Sequence, residues 1–171
     1  MSFSAKENIG YWLFYTQRCI AYAFSEVLAH YCEEHGKPYV VTPAQWGVLS
    51  LLFEQDGITI GAISHNRGVD APTVTGIVKR LEQSKLVERL HDEQDRRVVK
   101  VYLTEEGRAL MQGLFVEVER LYERMLEGFS VEDRRDLLCK LQTIVANISK
   151  IGEGIGDRFG LLPKEVVLPK E

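Results

Sequence analysis

Residues 59–104 constrain the fold more than any other stretch, because two helical patterns and two β-prone runs follow one another there without a long linker. A threonine begins the first pattern, residues 59–65, as a helix cap would. Residues 66–68 end in glycine and are expected to form a turn. The second pattern, residues 70–84, begins with an aspartate cap and has Pro72 in its first turn, where a missing backbone donor costs nothing. This order predicts a helix-turn-helix.

The second helix of this unit has two contrasting faces. Its apolar residues recur at the spacing of one helical stripe: Val74, Ile77, Val78 and Leu81. The other face is small, hydroxyl-bearing and basic: Thr73, Thr75, Gly76, Lys79 and Arg80. Such a face suits the major groove of DNA, where bulky side chains would hold the helix away from the bases. An ordinary amphipathic helix with a solvated polar face explains the same pattern.

Two β-prone runs after this helix, residues 86–91 and 98–103, predict a hairpin with a polar tip. The tip carries Arg96 and Arg97, and arginine is the residue that enters a narrow, strongly negative minor groove. A solvated charge cluster in which Asp95 pairs with Arg97 is the alternative. Since a protein-docking wing would more naturally have an apolar tip, the two arginines favour DNA over use of the winged helix as a protein-interaction module.

Six motifs in order make the chain resemble the MarR family, the multiple-antibiotic-resistance type of bacterial regulators. They are Thr42-Pro43-x-Gln45-Trp46-x-Val48-Leu49, Gly68-Val69-Asp70-x-x-Thr73-Val74-Thr75, Val78-Lys79-Arg80-Leu81-Glu82, Leu86-Val87-Glu88-Arg89, Asp92-Glu93-Gln94-Asp95-Arg96-Arg97 and Leu103-Thr104-Glu105-Glu106-Gly107. The resemblance covers roughly residues 9–150. It implies a homodimeric winged helix-turn-helix repressor or activator whose DNA affinity is changed by a small molecule or an oxidant. It also implies that Arg97 is the arginine at the tip of the hairpin, or wing, that contacts DNA. The chain departs from many relatives at Gly76, where they carry arginine.

The predicted DNA contacts therefore combine the turn, the second helix and the hairpin tip. Asn66 and Arg67 are candidate phosphate contacts, although a solvated turn would use the same residues. The full predicted set is Asn66, Arg67, Pro72, Thr73, Thr75, Gly76, Lys79, Arg80, Arg96 and Arg97.

The charge distribution agrees with a local DNA-binding face. The formal net charge of the chain is −4, but residues 59–104 hold 8 Lys/Arg against 6 Asp/Glu and so carry +2. The acidic total argues only against indiscriminate nucleic-acid binding. Three cysteines without framework spacing, no signal-peptide pattern and no long apolar run predict a cytoplasmic protein outside the membrane.

Helical patterns on both sides of the winged unit predict dimerisation. A long helix from about Ala5 to His35 carries two apolar stripes, more than one packing partner needs. Near the other end, Leu137, Leu141, Ile144, Ile148 and Ile151 approach a heptad seam. We expect a mainly α protein with a small β wing, divided into residues 1–38 (N-terminal dimerisation helix), 39–104 (winged helix-turn-helix), 105–152 (C-terminal dimerisation helices) and 153–171 (an extended or disordered tail).

Enzymatic chemistry finds no support in the sequence. No Gly-rich phosphate loop, paired-cysteine zinc motif or nucleophile elbow is present. Cys32-x-x-His35 supplies too few ligands for a closed metal site. We therefore expect no catalytic residue, cofactor or metal.

The family resemblance also implies a small effector, often an aromatic acid, between the dimer helices and the winged unit. The candidate residues that border this region are Trp12, Tyr15, Arg18, Cys19, Tyr22, Trp46 and Met111. Arg18 is suited to pair with a carboxylate in two-pronged fashion. Plain core packing is the alternative for the others. A redox switch at Cys19 is a rival signal, against which we expect burial of that thiol to slow its oxidation.

Overall fold

The computed structural model describes residues 7–148, which form six helices and a three-stranded sheet. In chain order the elements are α1 (Ile9–Glu34), α2 (Pro43–Glu54), β1 (Ile58–Thr59), α3 (Ile60–Arg67), α4 (Ala71–Gln83), β2 (Val87–His91), β3 (Val99–Leu103), α5 (Glu105–Met125) and α6 (Val131–Ile148). The mainly helical fold with a small β wing is thus confirmed.

Helix starts follow local capping chemistry. Thr42 and Gln45 form a reciprocal capping box at α2, in which the Thr42 amide donates to the Gln45 side chain over 2.9 Å. The Asp70 carboxylate accepts from the Thr73 amide at the start of α4. Asn8 caps α1, so this helix begins at Ile9, later than expected from the sequence. Ala5, the expected start, lies outside the described residues.

The wing is an antiparallel sheet with strand order β1-β3-β2. The register pairs Val87 with Leu103 and His91 with Val99, which confirms the predicted hairpin. The short strand β1 pairs with β3, with Ile58 opposite Val101. The inner residue Val101 is fully buried, so the base of the wing belongs to the core of the winged unit.

The hydrophobic core joins α2, α3, α4, the wing and α5 as far as Val118. Helix α1 contributes only Leu28 and Cys32 as fully buried residues, and α6 contributes none. The two apolar stripes expected along α1 therefore lie largely at the surface of a single chain, with Trp12 half exposed. Ile151 and the C-terminal tail lie outside the described residues. Within residues 7–148, no helix is long and apolar enough to cross a membrane.

Candidate nucleic-acid interface

Helix α4 presents a polar face to solvent because its apolar stripe is anchored in the core. Val74, Ile77, Val78 and Leu81 are all buried, as predicted. The residues on the opposite face are exposed: Pro72, Thr73, Thr75, Lys79 and Arg80. Gly76 lies on the same face, and a Cβ atom built there would meet nothing within 4 Å. The surface is therefore open for close approach by a large partner.

Both threonine hydroxyls on this face already donate within the helix. Thr73 Oγ1 donates to Asp70 Oδ2 over 2.7 Å, and Thr75 Oγ1 donates to the Ala71 carbonyl over 2.8 Å. The hydrogen bonds from Thr73 lower the pKa of Asp70. In this arrangement each threonine oxygen has an acceptor lone pair left, which suits the amino groups of adenine or cytosine in the major groove.

The turn between α3 and α4 begins later than predicted. Asn66 and Arg67 are the last residues of α3, and Gly68 adopts a left-handed conformation (φ 59°) that ends the helix. Asn66 is exposed. Arg67 is exposed overall, but its guanidinium lies against α2 so closely that a Cβ at Gly47 would overlap it. Arg67 therefore links two helices as well as lying near the predicted DNA face.

The wing tip is held in a fixed turn by its own polar groups. Asp92 Oδ1 accepts from the amides of Gln94 and Asp95, and Asp92 Oδ2 pairs with Lys100 Nζ at 2.5 Å. The Lys100 contact and these amides hold the pKa of Asp92 at about 2. His91 Nδ1 lies 2.7 Å from the Arg96 carbonyl. The tip backbone is thus organised without any contribution from the guanidinium groups of its two arginines.

Arg96 and Arg97 are both exposed, and neither guanidinium forms an ion pair with any residue from 7 to 148. Asp95 accepts from the backbone amide of Arg97 over 3.0 Å, whereas the ion pair between their side chains that was considered from the sequence is absent from residues 7–148. Two cationic side chains consequently extend from an ordered turn.

Three contacts that position this surface were not predicted from the sequence. Arg89 on β2 forms a two-pronged ion pair with Glu82 on α4. Lys100 pairs with Asp92, as above. Asp56 accepts from the Leu103 amide over 2.9 Å and from Arg108 Nη2 over 2.7 Å. These partners lie on different elements, so no helical or strand period reveals them.

The predicted effector residues are divided between two environments. Trp12, Tyr15 and Cys19 line an open cleft of about 390 Å³ on α1, which Met125 of α5 also lines. Trp46 instead packs edge-on against Phe24 and Phe115 beside the core. Trp46 and Met111, which were expected on the wall opposite the α1 residues, do not line this cleft, and Met111 is fully buried.

The remaining effector candidates lie outside the cleft. Tyr22 is 71% exposed, and the Arg18 guanidinium lies 5.8 Å from the Phe14 ring centroid. Cys19 is exposed in the chain, so the expected burial of its thiol is also wrong for a single copy. Among residues 7–148, no group of three His, Cys, Asp or Glu side chains is arranged to hold a metal ion.

Sequence comparison identifies the family. A sequence model described as the MarR family matches residues 41–99, which span α2 to the first residue of β3. The HTH-type transcriptional regulator FarR of Neisseria gonorrhoeae is 30% identical over 115 residues, 67% of this chain and 76% of FarR. The chain belongs to the MarR family. YsmB of Bacillus subtilis, an HTH-type transcriptional regulator, is 34% identical over 95 residues, 56% of this chain and 65% of YsmB.

Two solved structures share the fold of this chain. PcaV of Streptomyces coelicolor, solved in complex with its natural ligand, has a TM-score of 0.70 at 18% identity and covers 87% of this chain and 99% of PcaV. The S. aureus MepR–DNA complex has a TM-score of 0.66 at 24% identity and covers 78% of this chain and 96% of MepR. At these identities the likeness shows the fold alone. Because the MarR family, FarR and YsmB are transcriptional regulators, the chain is a regulator and not an enzyme.

Proposed function

We propose that two copies of this chain bind a pseudo-palindromic DNA operator, with α4 in the major groove and Arg97 in the adjacent minor groove. The observation that carries the proposal is the wing tip, where two guanidinium groups without an ionic partner in the described chain follow a helix whose outer face is small, hydroxyl-bearing and basic. The MepR–DNA complex provides a precedent for DNA binding within this fold. In the duplex, Thr73, Thr75 and Lys79 face base edges or phosphates.

The flanking contacts follow from the same placement. Asn66 and Arg80 are exposed around α4 and meet phosphates, while Arg67 does so from its position over α2. Arg96 neutralises a phosphate beside the minor groove. Such contacts fix the register of the protein on the duplex but do not read its sequence.

A second copy would cover the apolar side chains of α1 and α6 that residues 7–148 leave exposed. In α6 the side chains of Leu138, Leu141 and Ile148 are 41–56% exposed, and no residue of that helix is buried. A dimer joined through residues 1–38 and 105–152 would cover these side chains and leave residues 39–104 of each chain as the DNA-binding unit. Two such units roughly 34 Å apart can then engage successive major grooves. We propose repression as the outcome, since a bound dimer blocks access to its operator, and the cytoplasm as the compartment in which this DNA lies.

A small aromatic or anionic effector would act through the α1 cleft. Trp12, Tyr15 and Cys19 offer an aromatic, largely apolar wall of the kind that suits an aromatic ring. PcaV, solved with its natural ligand, provides a precedent for ligand binding in this fold. Arg18 would reach the carboxylate of the ligand only after its side chain turned away from Phe14. Alternatively, Arg18 of the partner copy would supply this contact. Binding of an effector in the α1 cleft would change the distance between the two DNA-binding units of the dimer.

The DNA-binding proposal is tested by selecting bound fragments from the source genome with purified protein. We expect enrichment of one pseudo-palindrome by wild type and strong loss of binding for Arg97→Ala with the dimer intact. Arg120→Ala, which removes an exposed arginine on α5, is the matched control and should bind normally. Equal binding curves for Arg97→Ala and wild type would reject the minor-groove contact. Lys79→Ala should lower the magnitude of the salt slope by roughly one unit.

The effector proposal needs release of a labelled operator as its readout. Aromatic acids, their thioesters and an organic peroxide are tested on wild type, Arg18→Ala and Cys19→Ser. Release by an acid that Arg18→Ala abolishes supports the carboxylate contact. Release only by peroxide, lost in Cys19→Ser, would replace the pocket by a redox switch, for which the exposed thiol of Cys19 is the favouring observation.

A further inference from the structure

An ion pair joins the wing to the C-terminal turn of α4. Arg89 Nη2 lies 2.5 Å from Glu82 Oε2, and Arg89 Nε lies 3.2 and 3.1 Å from the two carboxylate oxygens. This two-pronged geometry fixes both the distance and the relative orientation of the groups. The side chains of Arg89 and Glu82 are partly exposed, at 36% and 35%.

The position of Arg89 along β2 makes it the last such link before the tip. Alternation along a strand places Arg89 on the same face as buried Val87, and the register sets it opposite buried Val101. In the described chain, the polar side-chain contacts of residues 90–99 stay within the hairpin. Arg89 is therefore the outermost side chain through which the hairpin is tied to α4 by a polar contact.

We infer that the Glu82–Arg89 ion pair is a positioning device that holds the wing at the angle to α4 required for simultaneous entry into the major and minor grooves. The inference rests on the proposed DNA-binding function. Two further residue pairs, Leu90 with Lys100 and His91 with Val99, lie between this contact and the tip. At about 3.3 Å per residue, the tip lies roughly 7 Å or more beyond Arg89. A small rotation of the hairpin at Arg89 therefore produces a larger displacement of the two arginines at the tip.

The expected effect on DNA binding follows from the fraction of wings in the competent orientation. If loss of the ion pair leaves each wing correctly oriented about one third of the time, and both wings of a dimer must bind, the apparent Kd rises about tenfold. Stability should change little, because exposed ion pairs contribute little to folding. Weakened binding without unfolding is thus the signature of positioning.

Charge-neutral variants of both partners separate positioning from direct attraction to phosphate. Glu82→Gln removes a negative charge and Arg89→Gln removes a positive one, so a simple charge effect would strengthen binding in the first and weaken it in the second. Positioning predicts that both weaken binding about tenfold. The double variant Glu82→Arg/Arg89→Glu restores an ion pair at unchanged net charge and should recover most of the affinity.

The test measures operator binding by fluorescence anisotropy and amide hydrogen exchange of residues 90–99 in the full chain. Glu117→Gln, which breaks the exposed ion pair with Arg120 on α5, is the control and should match wild type in both. Faster exchange in the hairpin and weaker binding for both single variants, with recovery in the double, support the inference. Opposite shifts in Kd for Glu82→Gln and Arg89→Gln, or unchanged exchange, would overturn it while leaving DNA binding established. Failure of wild type and Glu117→Gln to bind any duplex would overturn the proposed function as well.

Discussion

Gly76 is a glycine inside a helix at a place where the structure leaves room for a side chain. Replacing it with alanine removes the conformational freedom that glycine has in the unfolded chain. In a helix interior this change is worth about 0.8–1.0 kcal/mol. Since a Cβ at Gly76 meets nothing within 4 Å, no clash offsets the gain. We expect Gly76→Ala to stabilise each chain by about 1 kcal/mol and to raise the melting temperature by about 3 °C.

Gly107→Ala is the matched change with the opposite expected sign. Gly107 also lies in a helix, α5, but a Cβ there would lie 2.1 Å from the Leu86 carbonyl oxygen, a backbone atom that also accepts from the Thr104 amide. Helix α5 would have to move away from the start of β2. Overpacking of this kind costs about 1–3 kcal/mol, which outweighs the helical gain.

Urea unfolding followed by circular dichroism at one fixed chain concentration measures both variants. The slope of free energy against denaturant should stay constant, so that the midpoint alone reports stability. A loss of 1 kcal/mol or more in Gly76→Ala would refute the reasoning, because it would mean that this face of α4 is packed against another surface in free protein.

The remaining predictions concern the dimer, the core and acid stability. Leu141→Glu should give monomers or unfolded chain by light scattering and circular dichroism, whereas Thr143→Glu on the same helix should stay dimeric; a folded Leu141→Glu dimer would contradict the proposed interface. Met111→Ala should lower the free energy of unfolding in urea by about 2–5 kcal/mol, since the side chain is fully buried. An unchanged urea midpoint would contradict that placement. The pKa of Asp92 is lowered from 3.8 to about 2 chiefly by Lys100, so its contribution is present above pH 4 and is lost as the pH falls towards 2. Asp92→Asn should flatten the stability curve in that window, and an identical curve would argue against the Lys100 contact.

The parts of the fold that were predictable depend on chemistry between chain neighbours. Caps such as Thr42 with Gln45 and Asp70 with Thr73 span three residues, and these hydrogen bonds form locally. The apolar period of α4 was equally reliable because a single face of that helix meets the core. Elements of this kind can be derived from a sequence before any tertiary contact is known.

The candidate site was less predictable because it depends on contacts between distant elements. Helical spacing grouped Tyr22 with three residues that line the cleft, Trp12, Tyr15 and Cys19, but Tyr22 lies outside it, and spacing cannot specify which residue of α5 lies opposite. That residue is Met125, whereas Met111 on the same helix lies in the core. The exposed apolar side chains of α1 are likewise not explained by packing within residues 7–148, which leave Trp12 and Tyr22 at least half exposed.

The most direct test of the whole account is hydroxyl-radical footprinting of the selected operator, with the number of bound chains measured by native mass spectrometry. Two chains per operator should protect two patches whose centres lie about one helical turn, roughly 10–10.5 base pairs, or a multiple of it apart. At a concentration high enough to saturate the operator despite its weaker binding, Arg97→Ala should lose protection at the minor-groove flanks and keep it at the centres of the half-sites. A single chain per site, or one protected patch that Arg97→Ala leaves unchanged, would contradict the account.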